Sequence, residues 1–128
     1  MHSLPIRVYL EDTDRFGLVY HANYVKFFER GRTEWLRAQA IELEALYQSG
    51  FKMVVAKLDI NFSSPACLDD MLTVETELLH CKMSMAIFEQ RLVNQSNNQI
   101  ANATVKIIGL DRNNKLCHIS KILKSTTG

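Results

Sequence analysis

Three carboxylates and an imidazole stand close together near the start of the chain. They fall in the run Glu11-Asp12-Thr13-Asp14-Arg15-Phe16-Gly17-Leu18-Val19-Tyr20-His21-Ala22-Asn23-Tyr24. A carboxylate so placed can attack a carbonyl carbon directly or take a proton from an attacking water. Where a helix begins just downstream, its first backbone N–H groups are unpaired and carry a partial positive charge of roughly half an electron. Such donors can hold the charge that gathers on the oxygen of an attacked thioester carbonyl. A thiolate leaves readily near neutral pH, so this chemistry needs a general acid less than ester or amide cleavage does. The same run has a purely conformational reading. Asp, Asn and Gly gather in turns for backbone reasons, and Asp-x-Asp alone is a weak pattern.

The elements that would position these groups can be read from periodicity. Ile6 to Glu11 alternates in side-chain character, as a half-buried strand does, and Asp12 to Tyr20 reads as a loop containing Gly17. From Asn23 to about Gln48 the pattern is helical. Tyr24, Phe27, Phe28, Gly31, Trp35 and Ala38 form one stripe, with Trp35 expected in the core. Asn23 is the expected N-cap, and Ser49-Gly50 the stop. Gly31 costs the helix about 1 kcal/mol and marks either a close approach or a kink. Strands follow at Met53 to Ser63, Met71 to Leu79, Met85 to Val93 and Ile100 to Leu110, with polar turns at Asn94 to Asn98 and Asp111 to Asn114. Short connections imply antiparallel neighbours. The expected class is α+β: a curved antiparallel sheet of about five strands wrapped around one long helix. Leu79 and Phe88 are expected on the outer face of the sheet, which points to a second subunit.

Composition bounds the rest. The chain has 128 residues, enough for one domain spanning 1–128, and is 47% apolar and 23% charged. With 15 basic and 14 acidic residues it lacks the basic excess of a nucleic-acid surface. Cys67, Cys81 and Cys117 form no C-x-x-C pair, so neither a disulfide framework nor a zinc site is expected, and no cofactor is called for. Met1 to Arg7 has no apolar core of a signal peptide, and no run is long enough to span a bilayer. The expected location is the cytoplasm.

The loop motif, with Tyr9-Leu10-Glu11-Asp12-Thr13-Asp14 leading through Gly17 to Tyr24 and then Phe28-Glu29-Arg30, resembles the signature of the 4-hydroxybenzoyl-CoA thioesterase family. More narrowly it is similar to the Tol-Pal-associated acyl-CoA thioesterases, the YbgC-like group. Arg32 to Arg37 and Pro65 to Leu72 fit the same group, so the likeness covers nearly the whole chain. What it implies is a hotdog fold, assembled as dimers or tetramers, that hydrolyses an acyl-CoA. The family's catalytic aspartate falls on Asp14, as nucleophile or general base, and its oxyanion donor on the backbone N–H of His21, whose imidazole is also implied to assist. Tyr20, Tyr24 and Lys57 are the expected substrate-binding residues. The chain departs from the group at Leu10, where an aromatic residue is common, and around His118 to Lys124, where a proline is expected.

Other candidates have simpler readings. His80 and His118 stand alone, and Cys67 has no activating His placed by motif. Glu29, Arg30, Arg32, Glu34 and Arg37 read as ion pairs on the helix surface. Lys82, Lys121 and Lys124, like Lys57, have the charge to meet CoA phosphates. Two rival functions stay open. One is a hydratase or dehydratase of hydroxyacyl thioesters using His21 and Glu34, although Ala22 to Thr33 lacks the Pro- and Gly-rich stretch of such enzymes. The other is a module that binds acyl thioesters without hydrolysing them.

Overall fold

A computed structural model describes residues 1–123. Five strands, β1 (His2–Arg7), β2 (Lys52–Phe62), β3 (Met71–Lys82), β4 (Met85–Val93) and β5 (Gln99–Leu110), form one antiparallel sheet. Their order is β1-β3-β4-β5-β2, which leaves β1 and β2 at the edges. Three helices complete the described chain: α1 (Asn23–Ala38), α2 (Leu43–Gln48) and α3 (Ser120–Leu123).

Alternation along the strands explains the layering. Leu72, Val74 and Thr76 of β3, Ala86, Phe88, Gln90 and Leu92 of β4, and Ala101, Ala103, Val105 and Ile107 of β5 are all buried. Most of their neighbours lie on the other face, where Arg91 pairs with the cross-strand Glu75 at 2.9 Å. Against the apolar face lies α1, burying Tyr24, Phe27, Phe28, Gly31, Trp35 and Leu36. Trp35, 2% exposed, meets Phe88 edge to face with ring centroids 5.0 Å apart. Phe88 therefore belongs to the core and not to the outer face. Leu79 does point outward, because the β3–β4 register shifts between Leu78 and His80.

Gly31 marks a close approach. A Cβ there would stand 2.5 Å from Val74 Cγ1 and 2.9 Å from both Gln90 Nε2 and Thr76 Oγ1. At this contact the buried Gln90 amide donates to Phe28 O at 2.8 Å and to Thr76 Oγ1 at 2.9 Å, and accepts from Arg32 Nη1 at 3.0 Å. Arg32 thus turns inward instead of joining a surface ion pair. Burial lowers its affinity for a proton, and neighbouring Glu29 partly offsets that. Glu34 and Arg37 do pair on the surface.

Two boundaries differ most from the periodicity reading. The strand at the N-terminus ends at Arg7, and Leu10–Asp12 form a 3-10 turn. The long helix breaks after Ala38: Ala40 adopts φ 60°, and Ile41 N–H returns to Leu36 O at 3.3 Å while Ala40 N–H returns to Arg37 O at 3.0 Å. This double return is a Schellman close, made here by alanine in place of glycine. Ala38 is exposed and Leu36 takes its place on the buried stripe. Ser49-Gly50 ends α2, with Gly50 at φ 85°.

Candidate active site

Asp12 organises the segment between β1 and α1. Its Oδ2 accepts from Tyr9 N–H at 2.9 Å and its Oδ1 from the Asn23 side-chain amide at 2.9 Å. Its backbone O accepts from Tyr20 N–H at 2.9 Å. Beyond it the chain forms a small hairpin in which Thr13 bridges Val19 and Asp14 N–H donates to Leu18 O at 2.8 Å. Gly17, at φ 77°, closes the turn, a conformation that suits glycine for lack of a Cβ. Val19 N–H reaches Ala66 O at 2.8 Å, which docks the hairpin against the segment leading into β3.

Asp14 therefore sits at the base of this turn, half-buried. Its Oδ1 accepts from Phe16 N–H at 2.9 Å and Leu18 N–H at 3.4 Å. Its Oδ2 has no hydrogen-bond donor among the described residues. One carboxylate oxygen is thus used to hold the turn and the other is left for chemistry.

At the start of α1, Asn23 N–H donates to Tyr20 O, Tyr24 N–H to His21 O and Val25 N–H to Ala22 O. Neither the His21 N–H nor the Ala22 N–H has a backbone acceptor among the described residues. These are the orphan donors that a helix start provides. Ala22 occupies the capping position and makes no side-chain cap. Asn23 is instead the first helical residue, and its side-chain amide donates to Asp12.

Asp14 and His21 line one open cleft of about 360 Å³. Tyr24, Leu18 and Val19 share its wall with Phe62, Ser63, Ser64 and Pro65, which come from the far end of β2. Tyr24 is buried, its ring 5.3 Å from that of Phe62. Burial raises its phenol above the ordinary value, against the pull of the Ala66 backbone, so the hydroxyl stays protonated. Tyr20 lies outside the cleft lining, exposed, with its ring 4.6 Å from that of His21. Lys57 also lies outside it, on β2 beside Asp59 at 3.6 Å. His80 and His118 are exposed, Cys67 is a free surface thiol, and Lys124 falls outside the described residues. Sequence reasoning misses residues 62–65 as part of the site, since the one signal there is Pro65, which reads as a strand stop.

Glu34 lies on a different cleft, lined also by Asp12 and Arg30, and it pairs with Arg37. The chain by itself therefore does not bring His21 and Glu34 together.

The model of the thioesterase-like superfamily matches residues 8–125. An acyl-CoA thioester hydrolase, YbgC, of Escherichia coli O6:H1 is 43% identical over 107 residues, which are 84% of this chain and 80% of the relative. An acyl-CoA thioesterase, YbgC, of Haemophilus influenzae is 44% identical over 85% of this chain and 80% of its own. A probable thioesterase from Bartonella henselae superposes with TM-score 0.87 at 34% identity, over 92% of this chain and 98% of its own. With this match, and with five antiparallel strands curved around α1, the chain belongs to the thioesterase-like superfamily and has its hotdog fold.

Proposed function

We propose that this chain, a hydrolase of acyl-CoA thioesters, works through Asp14 and the free N–H groups at the start of α1. The observation that carries the residue assignment is their meeting in one cleft. Asp14, which keeps one carboxylate oxygen without a protein donor among the described residues, and His21, whose N–H has no backbone acceptor there, line the same cleft. In this reading Asp14 Oδ2 takes a proton from water, whose oxygen bonds to the thioester carbon, or bonds to that carbon itself. On either route the carbonyl oxygen gains charge, which the His21 N–H receives. Collapse breaks the C–S bond, and the CoA thiolate leaves with the electron pair. On the covalent route water then hydrolyses the resulting anhydride. The imidazole of His21, at the mouth beside Tyr20, can relay a proton to or from water.

A second copy of the chain completes the reading. The edge strand β2 exposes Val54, Val55 and Phe62, and a cleft of about 330 Å³ opens between it and α1, lined in part by Met53, Val55 and Leu36. An apolar, unpaired edge beside such a cleft is suited to pairing with another strand. The protein in this reading is one domain over 1–128, assembled as a homodimer or homotetramer, with Lys57 on the β2 edge placed to meet CoA across subunits. Three free thiols fit the reducing cytoplasm. No helix among the described residues is long and apolar enough to cross a membrane.

The test is thiol release from butyryl-CoA, lauroyl-CoA and benzoyl-CoA, wild type against Asp14→Asn. Turnover by the wild type on at least one of them, lost in the variant, is the expected result. Equal turnover by the two would remove Asp14 from the mechanism.

A further inference from the structure

We infer that Asp12 is the positioning residue that sets the Asp14 turn and the α1 donors in register with each other. The inference rests on the reading of Asp14 and His21 given above. Asp12 is 7% exposed, and an aspartate so deeply buried must have its oxygens satisfied. Its three acceptor bonds go to three different stretches of chain. The Tyr9 N–H belongs to the exit from β1, the Tyr20 N–H to the far strand of the Asp14 hairpin, and the Asn23 amide to the first residue of α1. Asp14 follows Asp12 by two residues, and His21 precedes Asn23 by two. The Asp12–Asn23 bond therefore closes a ring of chain that contains both the carboxylate and the oxyanion donors.

No other side-chain hydrogen bond among the described residues links the segment before the hairpin to α1. Backbone bonds hold the hairpin within itself and against Ala66, and Asn23 N–H bonds Tyr20 O within the turn that enters α1. The Asp12–Asn23 bond is thus the side-chain tie that joins this segment directly to the start of α1. Asp12 lines the cleft shared with Arg30 and Glu34 and is not among the residues lining the Asp14 cleft, so it is not placed to touch a substrate there. Its effect on the reaction passes through geometry. A misplacement of about 1 Å between reacting groups can cost on the order of 10²-fold in rate.

Reversing the polarity of the pair tests this. Asn23→Asp sets carboxylate against carboxylate and breaks the bond. Adding Asp12→Asn restores it. The amide introduced by the second change donates to the carboxylate introduced by the first, while its own oxygen still accepts from Tyr9 N–H. Each enzyme is assayed below its melting temperature, on whichever of the three acyl-CoA probes the wild type turns over fastest. Asn23→Asp is expected to lower kcat by about 10- to 10²-fold with KM within a few-fold, and the reversed pair to recover most of kcat. Should Asn23→Asp not fold, Asn23→Ala removes the same bond without a second charge and carries the same expectation. A wild-type kcat in the bond-breaking variant, with or without a lowered melting temperature, would make Asp12 a merely stabilising residue and overturn the inference. So would a reversed pair no faster than the single variant. Asp14→Asn in parallel separates the two readings: if it retains turnover the site assignment fails, and if it loses turnover while Asn23→Asp does not, only the role of Asp12 fails.

Discussion

At the scale of single residues, the site depends on how the two oxygens of Asp14 are shared. Oδ1 holds the turn through Phe16 N–H and Leu18 N–H, and asparagine keeps that acceptor. Asp14→Asn should therefore fold with nearly the wild-type melting temperature while kcat falls by about 10² or more, the pattern of an interaction made in the transition state. Steady-state kinetics beside a thermal melt checks both halves at once. His21→Ala keeps the backbone N–H, so it should retain part of the activity. If the exposed imidazole relays a proton, its loss should cost about 10²-fold in kcat. An unchanged rate would leave His21 its backbone role alone. Their nearness was legible in the sequence, because a turn-forming aspartate and a helix start lie in one contiguous run, while their roles came from the family resemblance. The burial of Asp12 was not: the letters of Asp-x-Asp do not say which carboxylate satisfies a buried amide.

At the scale of elements, the contact between α1 and the sheet holds the site. Gly31→Ala should improve helix propensity by about 1 kcal/mol. The new Cβ would nevertheless drive into Val74 and the Gln90 amide, so the net change should be a loss of roughly 1–3 kcal/mol, read by denaturant unfolding. Trp35→Ala should cost roughly 3–5 kcal/mol, because a fully packed ring against Phe88 leaves a cavity. The helix stripe and the strand alternation were legible, and β4 begins and ends at Met85 and Val93 as the pattern implied. The break at Ala40 was not, since alanine is the best helix former and carries no stop signal. The return of Ile41 N–H to Leu36 O and the packing of Ile41 against the core accompany the left-handed turn.

At the scale of the whole molecule, the proposed assembly rests on the edge strand β2, which pairs only with β5 among the described strands. A homodimer or homotetramer should appear by light scattering at micromolar concentration. Val55→Lys, which puts charge on the exposed edge beside the cleft, should shift it toward monomer and lower kcat/KM together. A wild-type monomer with full turnover would contradict an active site shared between subunits.

What the sequence by itself determined is whatever short-range physics controls. Period-two and helical stripes select strands and a helix, and a contiguous run places Asp12, Asp14 and His21 between the first strand and α1. The tertiary structure decided what depends on segments far apart in the chain. It turned Arg32 inward to Gln90, set Phe88 in the core under Trp35, and brought Phe62 to Pro65 to the mouth of the Asp14 cleft. The physical reason is that burial and hydrogen-bond partners are properties of the packed sheet and helix together. No window of neighbouring residues contains both sides of such a contact.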